Sequence, residues 1–373
     1  MPWESGEWTK EAAKAIHDAA IQANIPELTR LLELGADVNT PECAGDTWTP
    51  LLSVAYHFDI GPATREAYIA AARVLLEHGA DVDACETGNE YRTALHLVAA
   101  SDEEAQDTPS DASGHEQGLE GLRAHSPLPI SPSPDYKLHF LQLLISYEAD
   151  ITASHGTGET ALHLAIGSRS SLAVINLILT TDKNLLQAQD HRGKKAIHVA
   201  ASHAHFKAAK LLLDSGAIVD EPDADGATHP LIEAAARDHA SLCRFLVQHD
   251  GADVNMTEPN GCTPLHAAAM SKHGDNADTI RQLAALGADL EARIPSNGQT
   301  ALHLAAATEE EFSSWGKPDS VAALLNLGAT IEAVDNSGWT ALHFAAQGHH
   351  LSVLELLLDR GAQVGKTVAD GPN

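Results

Sequence analysis

Residues 340–365, TALHFAAQGHHLSVLELLLDRGAQVG, hold two phrases that recur along the chain. The first is Thr340-Ala341-Leu342-His343, and the second opens at Gly361-Ala362. Near copies of the first begin at Thr93, Thr160, Thr263 and Thr300, each continuing Ala-Leu-His or Pro-Leu-His. Weaker copies begin at Lys14, Thr49, Lys195 and His229. In chain order the intervals from one start to the next are 35, 44, 67, 35, 34, 34, 37 and 40. The second phrase follows as Gly35-Ala36-Asp37-Val38-Asn39, Gly79-Ala80-Asp81-Val82-Asp83, Gly251-Ala252-Asp253-Val254-Asn255 and Gly287-Ala288-Asp289-Leu290-Glu291. It recurs in degenerate form at Gly216, Gly328 and Gly361. Two phrases in fixed order at a near-constant period mark stacked repeats, which share one core that grows along the array.

The residue types suit short paired helices. Thr accepts the early N–H groups of a helix, and Pro at the next position sits where a missing N–H is harmless. Ala pairs such as Ala200-Ala201 and Ala345-Ala346 keep the inner helix thin, while Leu211-Leu212-Leu213 and Leu356-Leu357-Leu358 supply an apolar stripe to the outer one. Gly then ends the outer helix in a left-handed conformation. A hairpin-like finger, for example Asp190-His191-Arg192-Gly193, leads to the next unit.

On these motifs the sequence resembles the ankyrin-repeat family over residues 10 to 368, whose unit is about 33 residues with a T-P-L-H-x-A opening. The resemblance implies an all-α solenoid of about nine helix-turn-helix units with finger loops. We expect one domain over 1–373, with units near 10–43, 44–87, 88–155, 156–190, 191–223, 224–258, 259–295, 296–335 and 336–368. The motif histidines His96, His163, His198, His266, His303 and His343 would stand about 10 Å apart at ordinary helix spacing, too far to share an ion. In this family such histidines bridge backbone groups of adjacent fingers. Asn39 and Asn255 also stand in a Leu-x5-Asp-Val-Asn context resembling the family's asparagine-hydroxylation sites.

Composition narrows the function. Lys plus Arg number 23 against 52 Asp plus Glu, a formal charge of −29. That balance opposes nucleic acid and anionic lipid and favours a basic partner or simple solubility. The four cysteines form no CxxC pair, and the opening MPWESGEWTKEAAKA is no secretion signal. No apolar run approaches the length of a membrane-spanning helix. We expect a cytoplasmic or nuclear monomer that binds another protein, with no membrane or nucleic-acid role.

Measured against the family's unit length, the large excesses all fall between the inner and outer helices of a unit. They lie at His57 to Arg65, Ser101 to Asp135, Ser271 to Asn276 and Thr308 to Pro318. They should project from one edge. The stretch 101–135 is acidic and Pro/Ser-rich, with Ser126-Pro127, Ser131-Pro132 and Ser133-Pro134 near its end. It reads as a tolerated loop, a regulatory arm or a lid.

The family places partners on a concave face lined by fingers and inner helices. On that face the candidate partner-binding residues are Trp48, Tyr91, His203, Glu233, Arg237 and Trp339, and Trp315 in the last insertion joins them. The alternative is an enzyme built on the scaffold, with the insertions closing over the groove. Catalytic signals are sparse. Gly361–Thr367 is one residue short of a phosphate-binding loop, and GxSxG, HExxH and GxGxxG are absent. No cofactor or metal site is read. Cys43, Cys85 and Cys262 lie in or near fingers, where an exposed thiol is conceivable.

Overall fold

The computed structural model describes residues 11–42, 47–61, 63–86, 90–101, 135–220, 222–223, 228–272, 274–307 and 317–364. They form two compact units, Met1–Leu185 and Leu186–Asn373.

The first unit holds α1 (Glu11–Ile21), α2 (Ile25–Glu33), α3 (Pro50–Ile60), α4 (Arg65–Glu77), α5 (Ala94–Ala100), α6 (Tyr136–Ser146), α7 (Ala161–Gly167) and α8 (Leu172–Thr181). A 3-10 turn at Lys183–Gln187 follows. The second unit holds α9 (Ala196–Ser202), α10 (Phe206–Asp214), α11 (Pro230–Ala236), α12 (Ala240–Asp250), α13 (Pro264–Met270) and α14 (Ala277–Ala285). It continues with α15 (Ala301–Ala307), α16 (Pro318–Asn326), α17 (Ala341–Gln347) and α18 (Leu351–Asp359). Among the described residues there is no strand, only isolated bridges at Cys85–Thr93 and Ser154–Thr160.

Within each unit the fold is a helical solenoid. Odd-numbered helices begin at the Thr-Ala-Leu-His phrase and pack in series, α1 on α3, α5 and α7, then α9 on α11, α13, α15 and α17. Even-numbered helices form an outer layer, α2 on α4, α6 and α8, and α12 on α14, α16 and α18. The thin Ala pairs allow this. Ala200, Ala201, Ala268, Ala269, Ala305 and Ala306 are fully buried against neighbouring helices, beside the motif residues Leu162, Leu265 and Leu302.

Two turn chemistries link inner to outer helices. Five repeats use one non-glycine residue at positive φ, namely Ala23, Arg169, Ala204, Asp238 and His349. The other four repeats carry the insertions at this same place. The stretches after α3 and after α13 lie between an inner and an outer helix, as the spacing requires. Those at 102–134 and 308–316 fall outside the described residues, and Trp315 with them.

At the far end of the outer helix, Gly35, Gly79, Gly216, Gly251, Gly287, Gly328 and Gly361 have φ between +74° and +107°. A Cβ there would meet nothing within 4 Å, so conformation and not space selects glycine. The next finger is then tied back by side chains. Asn39 Oδ1 accepts from Asp81 N at 2.8 Å while its Nδ2 donates to Gly79 O at 3.3 Å. Asn255 repeats this with Asp289 N at 2.8 Å and Gly287 O at 3.1 Å. Glu291 and Glu332 use only the accepting half, from Thr330 N and Gln363 N.

Glu148 stands where those seven repeats have glycine, at φ +64°. An L-residue in that region carries about 1 kcal/mol of strain. Glu148→Gly should therefore stabilise the chain by about 1 kcal/mol in urea unfolding, and Gly287→Ala should destabilise it by a similar amount. Equal midpoints for Glu148→Gly and the parent chain would refute the strain.

Candidate protein-interaction surface

Most inner helices, α3 and α11 excepted, carry the motif histidine, and several of these rings bond through both nitrogens. The Thr93 backbone N–H donates to His96 Nδ1 at 3.2 Å, and the Thr93 hydroxyl lies 2.9 Å from the same atom. An accepting Nδ1 places the proton on Nε2, which donates to Ala153 O at 3.0 Å, in the finger leading to the next repeat. His303 does the same toward Ala333 O and Trp339 O, at 3.0 and 3.1 Å. In the weaker copy Lys195 replaces Thr, yet its N–H still donates to His198 Nδ1, and His198 Nε2 donates to Thr228 O at 3.2 Å. The copy at His229 loses the arrangement, because Ile232 occupies the histidine position. Among the described residues no group of three or more His, Cys, Asp or Glu is placed to hold a metal ion.

The first repeat departs in a way that explains Trp48. Trp48 Nε1 donates to Ser53 Oγ at 2.9 Å, that hydroxyl meets His17 Nδ1 at 2.9 Å, and His17 Nε2 donates to Thr40 O at 3.0 Å. Trp48 is therefore part of the join between repeats. Its ring still meets Tyr56 edge-on at 5.7 Å, and Tyr56 is 45% exposed. Tyr91 is 55% exposed on its finger and holds φ +49°, a strained position for a bulky residue. Trp339 packs on the start of its own inner helix, 5.9 Å from the His343 ring and 5.3 Å from Phe344.

In the second unit two candidates, Glu233 and Arg237, form one charged group with Lys194. Glu233 is buried on α11, with one carboxylate oxygen paired to Lys194 Nζ from the preceding finger. Its other oxygen lies 3.4 Å from Arg237 Nε, one turn along the same helix. The carboxylate is thus engaged inside the protein, while Arg237 and His203 reach solvent at the ends of α11 and α9. The His203 ring meets Val199 O of its own helix at 3.0 Å. Glu258 on the following finger joins the group electrostatically. Burial, with Asp223 and Glu233 nearby, raises its carboxyl above the usual range. Sequence reasoning missed Tyr56 and Glu258, since neither occupies a position the motif marks.

The thiols are unpromising nucleophiles. Cys262, expected near a finger surface, is buried, and burial pushes it to about 12. Cys243 is buried on α12 and likewise pushed to about 12. Cys85 is half-buried beside its bridge to Thr93, and Cys43 falls outside the described residues. The phosphate-loop-like stretch also leaves the described residues after Val364.

Short helix pairs, capping histidines and finger loops at a near-constant period define a repeat array of one class. The ankyrin-repeat profile matches residues 134–223, 219–294 and 274–368, well over half the sequence, and the chain belongs to the ankyrin-repeat family. NF-kappa-B inhibitor zeta of Mus musculus is 27% identical over 247 residues, which cover 56% of this chain and 33% of that protein. The B-cell lymphoma 3 protein homolog of Mus musculus is 32% identical over 142 residues, 38% of this chain and 31% of that protein. A transient receptor potential cation channel subfamily A member 1 homolog of Caenorhabditis elegans is 28% identical over 236 residues, 63% of this chain and 15% of that protein. The chain thus spans about a third or less of these curated relatives. No helix among the described residues is long and apolar enough to cross a membrane.

The histidines make stability depend on pH. Burial lowers His96 to about 4 from 6.5 and also lowers His198, His266 and His303. As pH falls below 6.5 the unfolded chain takes up these protons before the folded one, so stability is lost between pH 6.5 and about 4. His96 alone accounts for roughly 3 kcal/mol across that window. Glu159, held at about 2 first by its hydrogen bond from His155, adds its own loss only at lower pH. Calorimetry should show Tm steady above pH 7 and falling from 6.5 toward 4, with a shallower fall in His96→Gln. A Tm unchanged between pH 7 and 5 would contradict the neutral-histidine join.

Proposed function

We propose that this chain is a protein-interaction module, working as a cytoplasmic or nuclear monomer that holds a basic or extended segment of another protein. The contact residues are Tyr56, Tyr91, His203, Arg237 and the outer faces of Trp48 and Trp339, on fingers and inner helices. Glu233 serves as the buried anchor that aims Lys194 and Arg237.

One observation carries the reading: the motif residues are used up in building the array, whereas these side chains keep exposed aromatic or charged surface. Tyr56 and Tyr91 bury large areas at small entropic loss, as interface anchors do. Family membership supports a binding role, and one relative's name describes an inhibitor of NF-kappa-B. The charge of −29 supports a basic partner through long-range attraction.

The test places a photo-crosslinking amino acid at Tyr56, Tyr91 or His203 in the intact chain, with Arg281 and Glu355 on outer helices as controls. Adducts to one protein from the first three positions and none from the controls are expected. Tyr91→Ala should weaken that partner at least tenfold, and raising salt from 50 to 300 mM should weaken it severalfold. Adducts from the outer helices alone would refute the surface, and a salt-independent affinity would refute the basic partner.

A further inference from the structure

The second repeat breaks the motif at one position, and an aromatic corner stands beside the break. Leu52 occupies the place on α3 where most repeats carry the motif histidine. Trp339, which precedes its motif threonine as Trp48 does, lies beside its own His343 ring at an interplanar angle of 34°. Leu52 offers Trp48 no such ring. Trp48 Nε1 is held by Ser53 Oγ at 2.9 Å, and its plane meets that of Tyr56 at 78° with the centroids 5.7 Å apart. Tyr56 meets the His57 ring at the same angle, 5.3 Å away. The space beside Tyr56 is thus bounded by rings that stand nearly perpendicular in turn.

The walls are fixed and still reach solvent. Ser53 is buried, and its hydroxyl ties Trp48 to the His17 ring of the preceding repeat. His57 Nδ1 donates to Ser53 O at 2.9 Å, which leaves Nε2 of the neutral ring as an acceptor. Tyr56 is 45% exposed, while Trp48 and His57 are half-buried. The flanks are acidic. The Glu42 N–H donates to Trp48 O at 3.1 Å, so exposed Glu42 stands directly across the finger from Trp48. Asp18 is exposed on α1 at the register of Ser53, and α1 packs on α3. Neither carboxylate is engaged by a hydrogen bond or ion pair among the described residues, and Lys14, one turn before Asp18, does not pair with it.

We propose that this corner takes an alkylammonium, the side chain of a lysine in the partner's basic segment, an inference that rests on the binding role proposed above. Two separate features select a cation. The faces of Trp48 and Tyr56 carry the negative side of the ring quadrupole, and a cation is held when it lies within about 6 Å of a ring centroid. With the centroids 5.7 Å apart, one ammonium satisfies that distance for both rings. The polar groups around them, His57 Nε2 and the carboxylates of Glu42 and Asp18, accept and do not donate. An anion would meet repulsion from every side, and an uncharged aliphatic chain would use none of these groups. Shape then separates the two cations a protein can offer. A compact ammonium touches two perpendicular faces at once, whereas a planar guanidinium lies flat on one.

The test uses the intact chain with fluorotyrosine at its 5 tyrosines, the Tyr56 signal being assigned through Tyr56→Phe. The probe is Nα-acetyl-lysine methylamide, beside its trimethyllysine, norleucine and arginine counterparts. Fluorine NMR should show a saturable shift at Tyr56 with the lysine or the trimethyllysine compound, the tighter of the two telling whether a plain or a methylated ammonium is preferred. The exposed Tyr91 should stay in place. The norleucine and arginine compounds should bind about tenfold more weakly. Trp48→Leu should weaken the lysine compound about tenfold, and the double change Asp18→Asn, Glu42→Gln, at exposed positions, about threefold. Circular dichroism melts show that each variant folds, and the double change reads the site even where Trp48→Leu does not fold. Equal shifts at Tyr56 and Tyr91, equal binding of the norleucine or arginine compound, or undiminished binding in the double variant would overturn the proposal. Crosslinks to a partner from Tyr91 and His203, with no ammonium bound at Tyr56, would overturn the corner alone and leave the interaction module standing.

Discussion

The neutral imidazole at the start of most inner helices sets the terms for the remaining contacts. A helix as short as α5 does not persist alone, since its nucleation is unfavourable and few of its hydrogen bonds are internal. In α5 the His96 ring meets both difficulties at once: Nδ1 accepts the Thr93 N–H, and Nε2 donates into the finger that leads to the next repeat. Only one tautomer does both. Protonation would convert the acceptor into a second donor facing an N–H, and burial raises the cost of that charge, which is why these rings are held below 6.5.

The opposite end of the inner helix has its own problem, four carbonyls with no internal partner. Here the chain uses a different residue type in nearly every repeat. Tyr68 on α4 donates to Ile21 O at 2.8 Å, and His239 at the start of α12 reaches Ser202 O at 3.1 Å. Asn276 at the start of α14 donates to Ala235 O at 3.3 Å, and buried Lys317 at the start of α16 donates to Ala269 O and Ser271 O. Each comes from the beginning of an outer helix and bonds the inner-helix end of the preceding repeat. Buried Lys137 does a related task at the start of α6, bonding Ser101 O and the Ser170 hydroxyl. What is common is a donor of sufficient reach, so the position tolerates phenol, imidazole, amide and ammonium alike. Both described outer-helix starts that follow the two long insertions use lysine.

That contrast explains what could be read in advance. The Thr-Ala-Leu-His and Gly-Ala-Asp phrases were legible because their chemistry demands particular atoms at particular spacings: an accepting ring nitrogen, a residue free to take positive φ. The fold class followed from them. The donors at the inner-helix ends were invisible, because Tyr68, Asn276 and Lys317 share no side-chain type. Glu233 looked like a surface acid by register, yet Lys194 and Arg237 enclose it, and nothing in the spacing reveals that an ion pair spans two repeats. Cys262 was misjudged for a similar reason, since a finger residue can point inward.

Building residues and free residues are thereby sorted onto different atoms of the same short elements. On the inner helices and fingers, the ring nitrogens, Ala pairs and finger carbonyls are consumed by stacking, so specificity has to come from residues such as Tyr56, Tyr91, His203 and Arg237. Arg237 shows how the two sets are linked. An exposed arginine loses considerable rotamer freedom when it binds, but the buried Glu233 carboxylate one turn away already restrains it. The same carboxylate holds Lys194 of the preceding finger, so a shift of that finger moves the charge in front of Arg237. An ion pair at this depth adds little to stability once desolvation is counted. Its stronger effect is geometric, in fixing where two cations stand on a chain that is otherwise negative.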